Sequence, residues 1–286
     1  MPGDTTLRFD VLVSDLAPVQ GPAMPNGGRP YWSPLAHTLI HGAREAAIVD
    51  PPITVAQTDA LADWIESFDK RLSYIYITHW HADHWLGTGR LVRRFPGVMA
   101  YASPRTVERI MRSTPDGVPG APWPSLFPGQ LGDFPIETPI VAVPSDGFTV
   151  DGQQLVSVEA GHSDTDDSTV LHVPSIGLVA AGDVVYNNVH QYLAESPDGT
   201  LDGWRAALDT VAALDPAHVV AGHRDPTRDD DVANIGRTRE YLDVAAELLA
   251  GGPSREEWFF TLIERYPDRI NPYTVWLSAQ RLLPAG

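Results

Sequence analysis

The sequence predicts an α/β fold, in which strands and helices alternate along the chain. Short apolar runs typical of buried strands are followed by segments whose apolar residues recur at helical period. Four of the runs end in a residue that can bind a metal, three of them through an intervening glycine. In sheets covered by helices, such residues gather at the carboxyl ends of strands, so a functional site is expected at one sheet edge.

The first half of the chain is predicted to contain an irregular loop, four short strands and three helices. Proline and glycine are concentrated in the loop, and the strands are short apolar runs. Thr54 and Gln57 have the spacing of a capping box, and Ser103 followed by Pro104 is typical of a helix start. The loop covers 18–34, the strands cover 38–40, 46–49, 72–77 and 98–101, and the helices cover about 54–68, 83–94 and 103–112.

Residues 113–147 contain eight prolines and are too long for an ordinary connection. This Pro-rich insertion is either a surface excursion or a cap over a cleft. Beyond it, strands, one helix and a helical extension from about residue 229 are expected within a single domain, 1–286. The strands cover 154–159, 169–173, 178–181 and 218–220, the helix covers 204–214, and the tail helices lie at 232–249, after a capping box formed by Ser254 and Glu257, and after Asn271-Pro272.

The composition excludes several classes of partner. The net charge is −17 and Lys70 is the only lysine, so the chain lacks the basic surface with which proteins bind nucleic acids or anionic membranes. There is no cysteine, which removes disulfides, thiolate nucleophiles and sulfur ligands. The polar N-terminus has no apolar leader and no apolar run reaches transmembrane length. We expect a cytoplasmic protein that binds a small molecule; its oligomeric state is open.

The segment from Thr78 to His84 reads Thr-His-Trp-His-Ala-Asp-His and directly follows a predicted strand. It places three imidazoles and one carboxylate within six residues. His79 and His81, two residues apart, can chelate one metal from an extended loop, whereas Asp83 and His84 point elsewhere and suit a second. Imidazole and carboxylate ligands without a thiolate favour zinc, with iron and manganese as alternatives.

Three later positions repeat the context of this segment. Each has an apolar strand, then a glycine, then a residue that can bind a metal: His162, Asp183 and His223. A single histidine after a strand is more often a structural group, but the repetition at four strand ends favours a metal site. The remaining histidines are expected to be structural or surface groups, although His190 could face the cleft.

The order and spacing of these residues resemble the metallo-β-lactamase superfamily, whose signature is His-x-His-x-Asp-His followed by a His, an Asp and a last His. The resemblance covers about 38–225. It implies a four-layer αβ/βα sandwich of two mixed β-sheets with helices outside and a dinuclear metal site at one edge. It also implies that His79, His81 and His162 hold the first metal, that Asp83, His84 and His223 hold the second, and that Asp183 bridges both.

Within the superfamily, glyoxalase-II-type thioesterases and N-acyl homoserine lactonases share this ligand set. Tyr186 follows Asp183 by three residues, and similar lactonases carry a substrate-contacting tyrosine at that spacing. Its phenol would donate to the oxyanion, or else Tyr186 is a packed aromatic residue. Asp164, Asp166 and Asp167 replace the usual Pro/Gly turn of the family and are expected to form Asx turns or to support the ligands.

The expected function is that of a metal-dependent hydrolase with two Zn2+ ions per chain. A hydroxide shared by the ions would attack a small carboxylic ester or lactone, with Asp83 orienting the nucleophile and passing a proton. The aromatic residues Trp32, Trp123, Phe127 and Tyr192 suggest an apolar or aromatic acyl group. The alternatives are a thioesterase, a cysteine-free β-lactam hydrolase, an iron-dependent oxidoreductase similar to persulfide dioxygenases, and a non-enzymatic metal-binding module.

Overall fold

Two mixed β-sheets face each other in the computed structural model, and α-helices cover their outer surfaces. The structure describes residues 6–115, 119–132, 140–196 and 201–284. Successive strand residues point to opposite faces of a sheet. Ile40 and Tyr76 accordingly pack in a cluster formed by strand residues of both sheets, whereas their neighbours Leu39 and Ile75 pack in the cluster that includes the helices. The four-layer αβ/βα sandwich expected from the resemblance is confirmed.

The first sheet has six strands in the order β1-β4-β5-β6-β7-β8. Its antiparallel edge pairs β1 with β4 and β4 with β5, and the pairs from β5 to β8 are parallel. Helices α1, α2 and α3 belong to this half of the chain. The bounds are β1 Arg8–Val13, β4 Ala36–His41, β5 Glu45–Val49, α1 Val55–Glu66, β6 Arg71–Ile77, α2 Thr88–Arg94, β7 Met99–Ala102, α3 Pro104–Ser113 and β8 Val141–Ala142.

The second sheet has five strands in the order β14-β12-β11-β10-β9. Only the β12–β14 pair is parallel, because the chain crosses over through α5 between these two strands. The bounds are β9 Phe148–Val150, β10 Gln153–Gly161, β11 Ser168–Val173, β12 Leu178–Ala180, α5 Asp202–Ala213 and β14 His218–Val220. Two short pairs lie apart from the sheets: β2 Ala17–Pro18 with β3 Tyr31–Trp32, and β13 Tyr186–Asn187 with β15 His223–Arg224.

Three helices form the predicted C-terminal extension, and their starts agree with the sequence signals. Ser254 caps α7 in a complete capping box with Glu257, as predicted. The helices are α6 Ala233–Ala250, α7 Arg255–Arg265 and α8 Tyr273–Leu282. Among the described residues, no helix is both long and apolar enough to cross a membrane.

The helix predicted over 83–94 is shorter than expected. Ala82–His84 form a single 3-10 turn, and regular α-helix begins only at Thr88. The chain between them packs against the loop before α1: a Cβ at Gly87 would lie 2.7 Å from the Pro52 carbonyl oxygen. The helical path is interrupted at Trp85, whose φ of −147° lies outside the helical region, so the ligand-bearing turn and α2 are separate elements.

The Pro-rich insertion is described except for residues 116–118 and 133–139. A short helix, α4 Trp123–Leu126, leads to Phe127, whose side chain is fully buried. Backbone hydrogen bonds tie this segment to the N-terminal loop and to the start of α1. The described part of the insertion is therefore packed against the body of the protein, and Trp123 and Leu126 line the main cavity.

Candidate metal centre

The ends of strands from both sheets meet at one edge of the sandwich. The segment 78–84 follows β6 of the first sheet, whereas Asp183 and His223 follow β12 and β14 of the second. At two of the glycines that precede these ligands, another part of the chain comes so close that there is no room for a side chain. A Cβ at Gly182 would lie 2.6 Å from Thr78 Oγ1, and a Cβ at Gly222 would lie 2.3 Å from Asp183 Oδ1. The strand–glycine–ligand pattern of the sequence thus lets the strand ends close around one point.

Three overlapping groups of side chains have donor atoms close enough to share a metal ion, each within 4.8 Å of the others. We call them the first, second and bridging ligand groups. The first contains His79, His81 and Asp164; the second contains Asp83, His84 and His223; the bridging group contains His79, His84 and Asp183.

The second ligand group has the dimensions of a metal site. Asp83 Oδ2 lies 3.6 Å from His84 Nε2 and 3.4 Å from His223 Nε2. Asp183 reaches the same imidazoles, with Oδ1 3.4 Å from His84 Nε2 and Oδ2 3.2 Å from His223 Nε2. Ligands about 2.1 Å from a tetrahedral ion are about 3.4 Å apart, so these separations suit a shared ion.

Several donor atoms of the centre are buried without a partner. Among the described residues, His79 Nε2, His84 Nε2 and Asp183 Oδ1 make no hydrogen bond. Leaving a buried polar atom unpaired costs about 1–3 kcal/mol, and more for a charged group. The chemistry of the donor set and its unpaired atoms therefore fit divalent cations.

The other nitrogens of these imidazoles are held by the protein. His84 Nδ1 lies 2.9 Å from Asp50 Oδ2, and the same carboxylate accepts hydrogen bonds from the backbone N–H and hydroxyl of Thr78. His223 Nδ1 lies 3.0 Å from the Pro34 carbonyl oxygen. His81 Nε2 lies 3.0 Å from Glu195 Oε1. Such partners fix ring orientation and leave the opposite nitrogen free to bind a metal.

Carboxylates and imidazoles shift one another's pKa at this centre. Burial would lower the pKa of His84, but Asp183 and Asp83 raise it to about 9. Burial and the neighbouring imidazoles of His84 and His81 lower the pKa of His79 well below its usual value. Protons and divalent cations compete for the same nitrogens, so the carboxylates that favour a proton on His84 also favour a cation.

His162 is the one expected ligand that the structure places outside all three groups. Its half-buried side chain lies beside Ser196, with 3.4 Å between His162 Nε2 and Ser196 Oγ. The cause is local: β10 is bulged against β11 between Glu159 and Gly161, and Gly161 has a φ of +91°. The chain thereby turns His162 away from the edge and brings Asp164 into it.

Tyr186 lines the cavity but its hydroxyl already has a partner. The phenol donates to Asp183 Oδ2 at 2.8 Å, and the parallel pairing of β13 with β15 sets Tyr186 beside His223. Burial, followed by the charge of Asp183, raises the pKa of Tyr186 well above its usual value, so the phenol keeps its proton.

A cavity of about 1000 Å3 opens directly over the ligand groups. Trp32 stands in its wall, donates its indole N–H to Asp83 Oδ2 at 2.7 Å and packs edge-on against Trp123 and Phe127. Arg109 lies over the Trp80 ring, 4.6 Å from its centroid. Most of the wall surface is apolar, and the residues that contribute to it include Trp32, Trp80, Trp123, Leu126, Tyr192, Tyr273 and Leu277. Charged side chains, among them Arg105, Glu108, Arg109 and Arg112, also line the cavity.

The remaining histidines lie outside the three ligand groups. His37 is buried with Nε2 2.6 Å from Ser14 Oγ, and His190 is buried with Nδ1 3.0 Å from the Tyr241 hydroxyl. Burial lowers the pKa of His190 to about 3, so this ring is neutral. His190 is not among the residues that line the cavity.

The chain matches known proteins over the segment that carries the ligands. Residues 37–223, well over half of the chain, match the model of the family described as the metallo-beta-lactamase superfamily. The metallo-beta-lactamase type 2 of Bacteroides fragilis is 27% identical over 196 residues, which cover 65% of this chain and 68% of that protein. A shorter segment of 61 residues, 21% of this chain, is 39% identical to the mitochondrial persulfide dioxygenase ETHE1 of Bos taurus and covers 23% of that protein.

A comparison of structures agrees on the fold. The metallo-beta-lactamase from Pontibacter korlensis superimposes with a TM-score of 0.57 at 21% identity, covering 82% of this chain and 99% of that one. Because the family model matches well over half of the chain, the chain belongs to the metallo-beta-lactamase superfamily. Membership and the His/Asp clusters support a metal-binding hydrolase that acts on a small molecule.

Proposed function

We propose that this protein is a metal-dependent hydrolase that cleaves a small carboxylic ester or lactone with two divalent ions, zinc in the first instance. The observation that carries the proposal is the convergence of unpaired imidazole and carboxylate atoms beneath an aromatic cavity. The ligands we assign are His79, His81, Asp83, His84, Asp183 and His223. A cytoplasmic location belongs to the same proposal.

The residues of the centre have distinct tasks in this proposal. When bound, divalent ions supply a water of lowered pKa and polarise a substrate carbonyl. Asp83 stands at the cavity surface and orients the nucleophile; the indole N–H of Trp32 holds Oδ2 of that carboxylate in place. Oriented groups of this kind need no rearrangement during the reaction, which is why they lower its barrier.

The cavity walls select the substrate in this proposal. Its apolar surface favours an alkyl or aromatic acyl group, and Trp32, Trp123 and Leu126 lie on the side contributed by the N-terminal loop and the Pro-rich insertion. Tyr273 and Leu277 of the helical extension contribute another side. We assign these two additions to the superfamily core, the insertion at 113–147 and the extension from about 229, to substrate recognition within a single domain.

Tyr186 serves the reaction by holding Asp183 in this proposal, because its single hydroxyl hydrogen points to that carboxylate. Tyr186→Phe is expected to weaken metal binding by about 10- to 100-fold, the usual cost of losing such a partner. Metal affinity by competition with a chelator, together with kcat and KM, checks this. Unchanged affinity with a large fall in kcat would instead assign the phenol to the oxyanion, and unchanged values of all three would leave it a packed aromatic.

β-Lactam hydrolysis is the second candidate, because the similar protein of Bacteroides fragilis is a metallo-beta-lactamase. A β-lactam is a strained cyclic amide, so the water activated at the same metal centre would attack its carbonyl. Thioester hydrolysis remains a third candidate on the same ligands. The similarity to a persulfide dioxygenase keeps an iron-dependent oxidation as the alternative from another class.

A substrate panel with the zinc-loaded protein tests the function. We expect turnover of lactones or aryl esters at rates at least ~100-fold above the metal-stripped protein, since the metal supplies the activated water. The panel includes thioesters and β-lactams, and the metal content is measured on the protein as purified, before it is loaded with zinc. Turnover of neither esters nor lactones, or one iron per chain with oxygen consumption, would refute the proposed function.

A further inference from the structure

We propose that Asp164, and not His162, completes the first metal site with His79 and His81. The inference rests on the proposed dinuclear centre and concerns one of its ligands. Asp164 lies in the turn between β10 and β11, only two residues after the histidine that the resemblance assigns to this site.

The carboxylate of Asp164 is oriented for this role. The side chain is 1% exposed. Its Oδ1 accepts a hydrogen bond from the Ser163 hydroxyl at 3.0 Å, and Ser163 in turn lies 2.6 Å from the hydroxyl of Ser168. The turn therefore fixes one oxygen, and the other is free to face the imidazoles.

That other oxygen lies where a third ligand is needed. Asp164 Oδ2 is 2.7 Å from His81 Nδ1 and 3.5 Å from His79 Nε2. The oxygen is fully buried, and its contact with His81 is short enough for a charge-assisted hydrogen bond when His81 Nδ1 carries a proton. Because two imidazole nitrogens and one buried carboxylate oxygen converge, a divalent cation that displaces the proton between Asp164 and His81 would bind all three groups.

His162 is built into a different part of the protein. Its Cβ lies 3.0 Å from the position that a Cβ at Gly203 would take, so the ring packs on the first turn of α5. It lines a second cavity together with Leu249 and Arg281. For His162 to bind the first metal, the turn after β10 would have to change its conformation. His162 would then no longer pack on α5, and Asp164 would no longer be buried in its present position.

The assignment makes the two metal sites chemically alike. The first has the imidazoles of His79 and His81 with Asp164, and the second has those of His84 and His223 with Asp83; Asp183 lies between them. Each ion then receives two imidazoles and one carboxylate of its own. With His162 as the ligand, the first ion would have three imidazoles and no carboxylate of its own.

The number of metal ions bound per chain distinguishes Asp164 from His162 as the third ligand, and this measurement does not depend on catalytic activity. The full-length protein is stripped with a chelator, dialysed against Zn2+ and measured for bound zinc per chain. Asp164→Asn keeps the size of the side chain and removes its charge, and we expect bound zinc to fall from two ions to one. His162→Asn is the matched control and should retain two ions. Loss of an ion from His162→Asn, or two ions in Asp164→Asn, would overturn the assignment.

A spectroscopic measurement supports the count of ions. In the Co2+-loaded protein, the visible absorption bands should change in Asp164→Asn and stay unchanged in His162→Asn; the reverse pattern would overturn the proposal. If Asp164→Asn fails to fold by circular dichroism, Asp164→Glu replaces it and should keep two ions with a shifted spectrum. A protein that binds two ions in this way but hydrolyses nothing would refute the proposed function and leave the ligand assignment standing.

Discussion

Asp183→Asn is expected to lose one of two bound metal ions and, with it, hydrolytic activity. Asp183 lies within reach of His84 and His223, and its Oδ1 is buried and unpaired among the described residues. Two unit charges 4 Å apart interact by about 4 kcal/mol at an effective dielectric constant of 20, and two dications repel more strongly. Removing the carboxylate between them therefore favours release of one ion.

The measurement is bound zinc per chain together with kcat/KM. We expect one bound ion instead of two and a fall in kcat/KM of more than ~100-fold. Loss of a residue that only hydrogen-bonds a metal ligand already lowers metal affinity or activity by about 10- to 100-fold, and Asp183 is itself a proposed ligand. Asp202→Asn is the control, because the Asp202 side chain is 89% exposed and belongs to none of the three ligand groups. Two ions bound with undiminished activity in Asp183→Asn would remove Asp183 from the centre.

His79→Ala is expected to have an effect of similar size. His79 belongs to both the first and the bridging ligand groups, its ring is fully buried, and its Nε2 has no partner within the described residues. Truncation removes an imidazole on which the first ion depends and opens a polar void beside the second. Metal content should fall by at least one ion per chain, and hydrolysis should drop by more than ~100-fold.

His172→Ala is the matched histidine control for this experiment. His172 lies on β11 at a partly exposed position, outside the three ligand groups. We expect the control to keep both ions and the parent's rate. Equal losses in the two variants would mean that the effect of His79→Ala reflects general destabilisation and not a lost ligand.

Most of the elements from β4 onward and most residues of the three ligand groups could be predicted from the sequence, because both follow local patterns; the edge strands β1 and β8 were not predicted. Apolar runs give the strands, and the glycines before Asp183 and His223 mark strand ends that approach other parts of the chain closely. The helix predicted at 83–94 was wrong in its first part, because Trp85 leaves the helical region and regular helix begins only at Thr88.

Contacts between distant parts of the chain carry no comparable sequence signal. Glu195 meets His81 across 114 positions, Trp32 meets Asp83 across 51, and Asp50 meets His84 across 34. The choice between His162 and Asp164 depends on a bulge that shifts the register of β10 by a residue. A family signature fixes the order of ligand types but not this register, so the sequence alone favoured His162.

The ligands come from both sheets, so metal binding would contribute to the stability of the whole fold. Strand β6 of one sheet and strands β12 and β14 of the other each lead into the same centre, so an ion bound there cross-links the two halves of the sandwich. A ligand that binds only the folded chain adds about 2.7 kcal/mol to the free energy of unfolding at 100 times its Kd. Scarcity of the metal would therefore lower the lifetime of this protein as well as its activity.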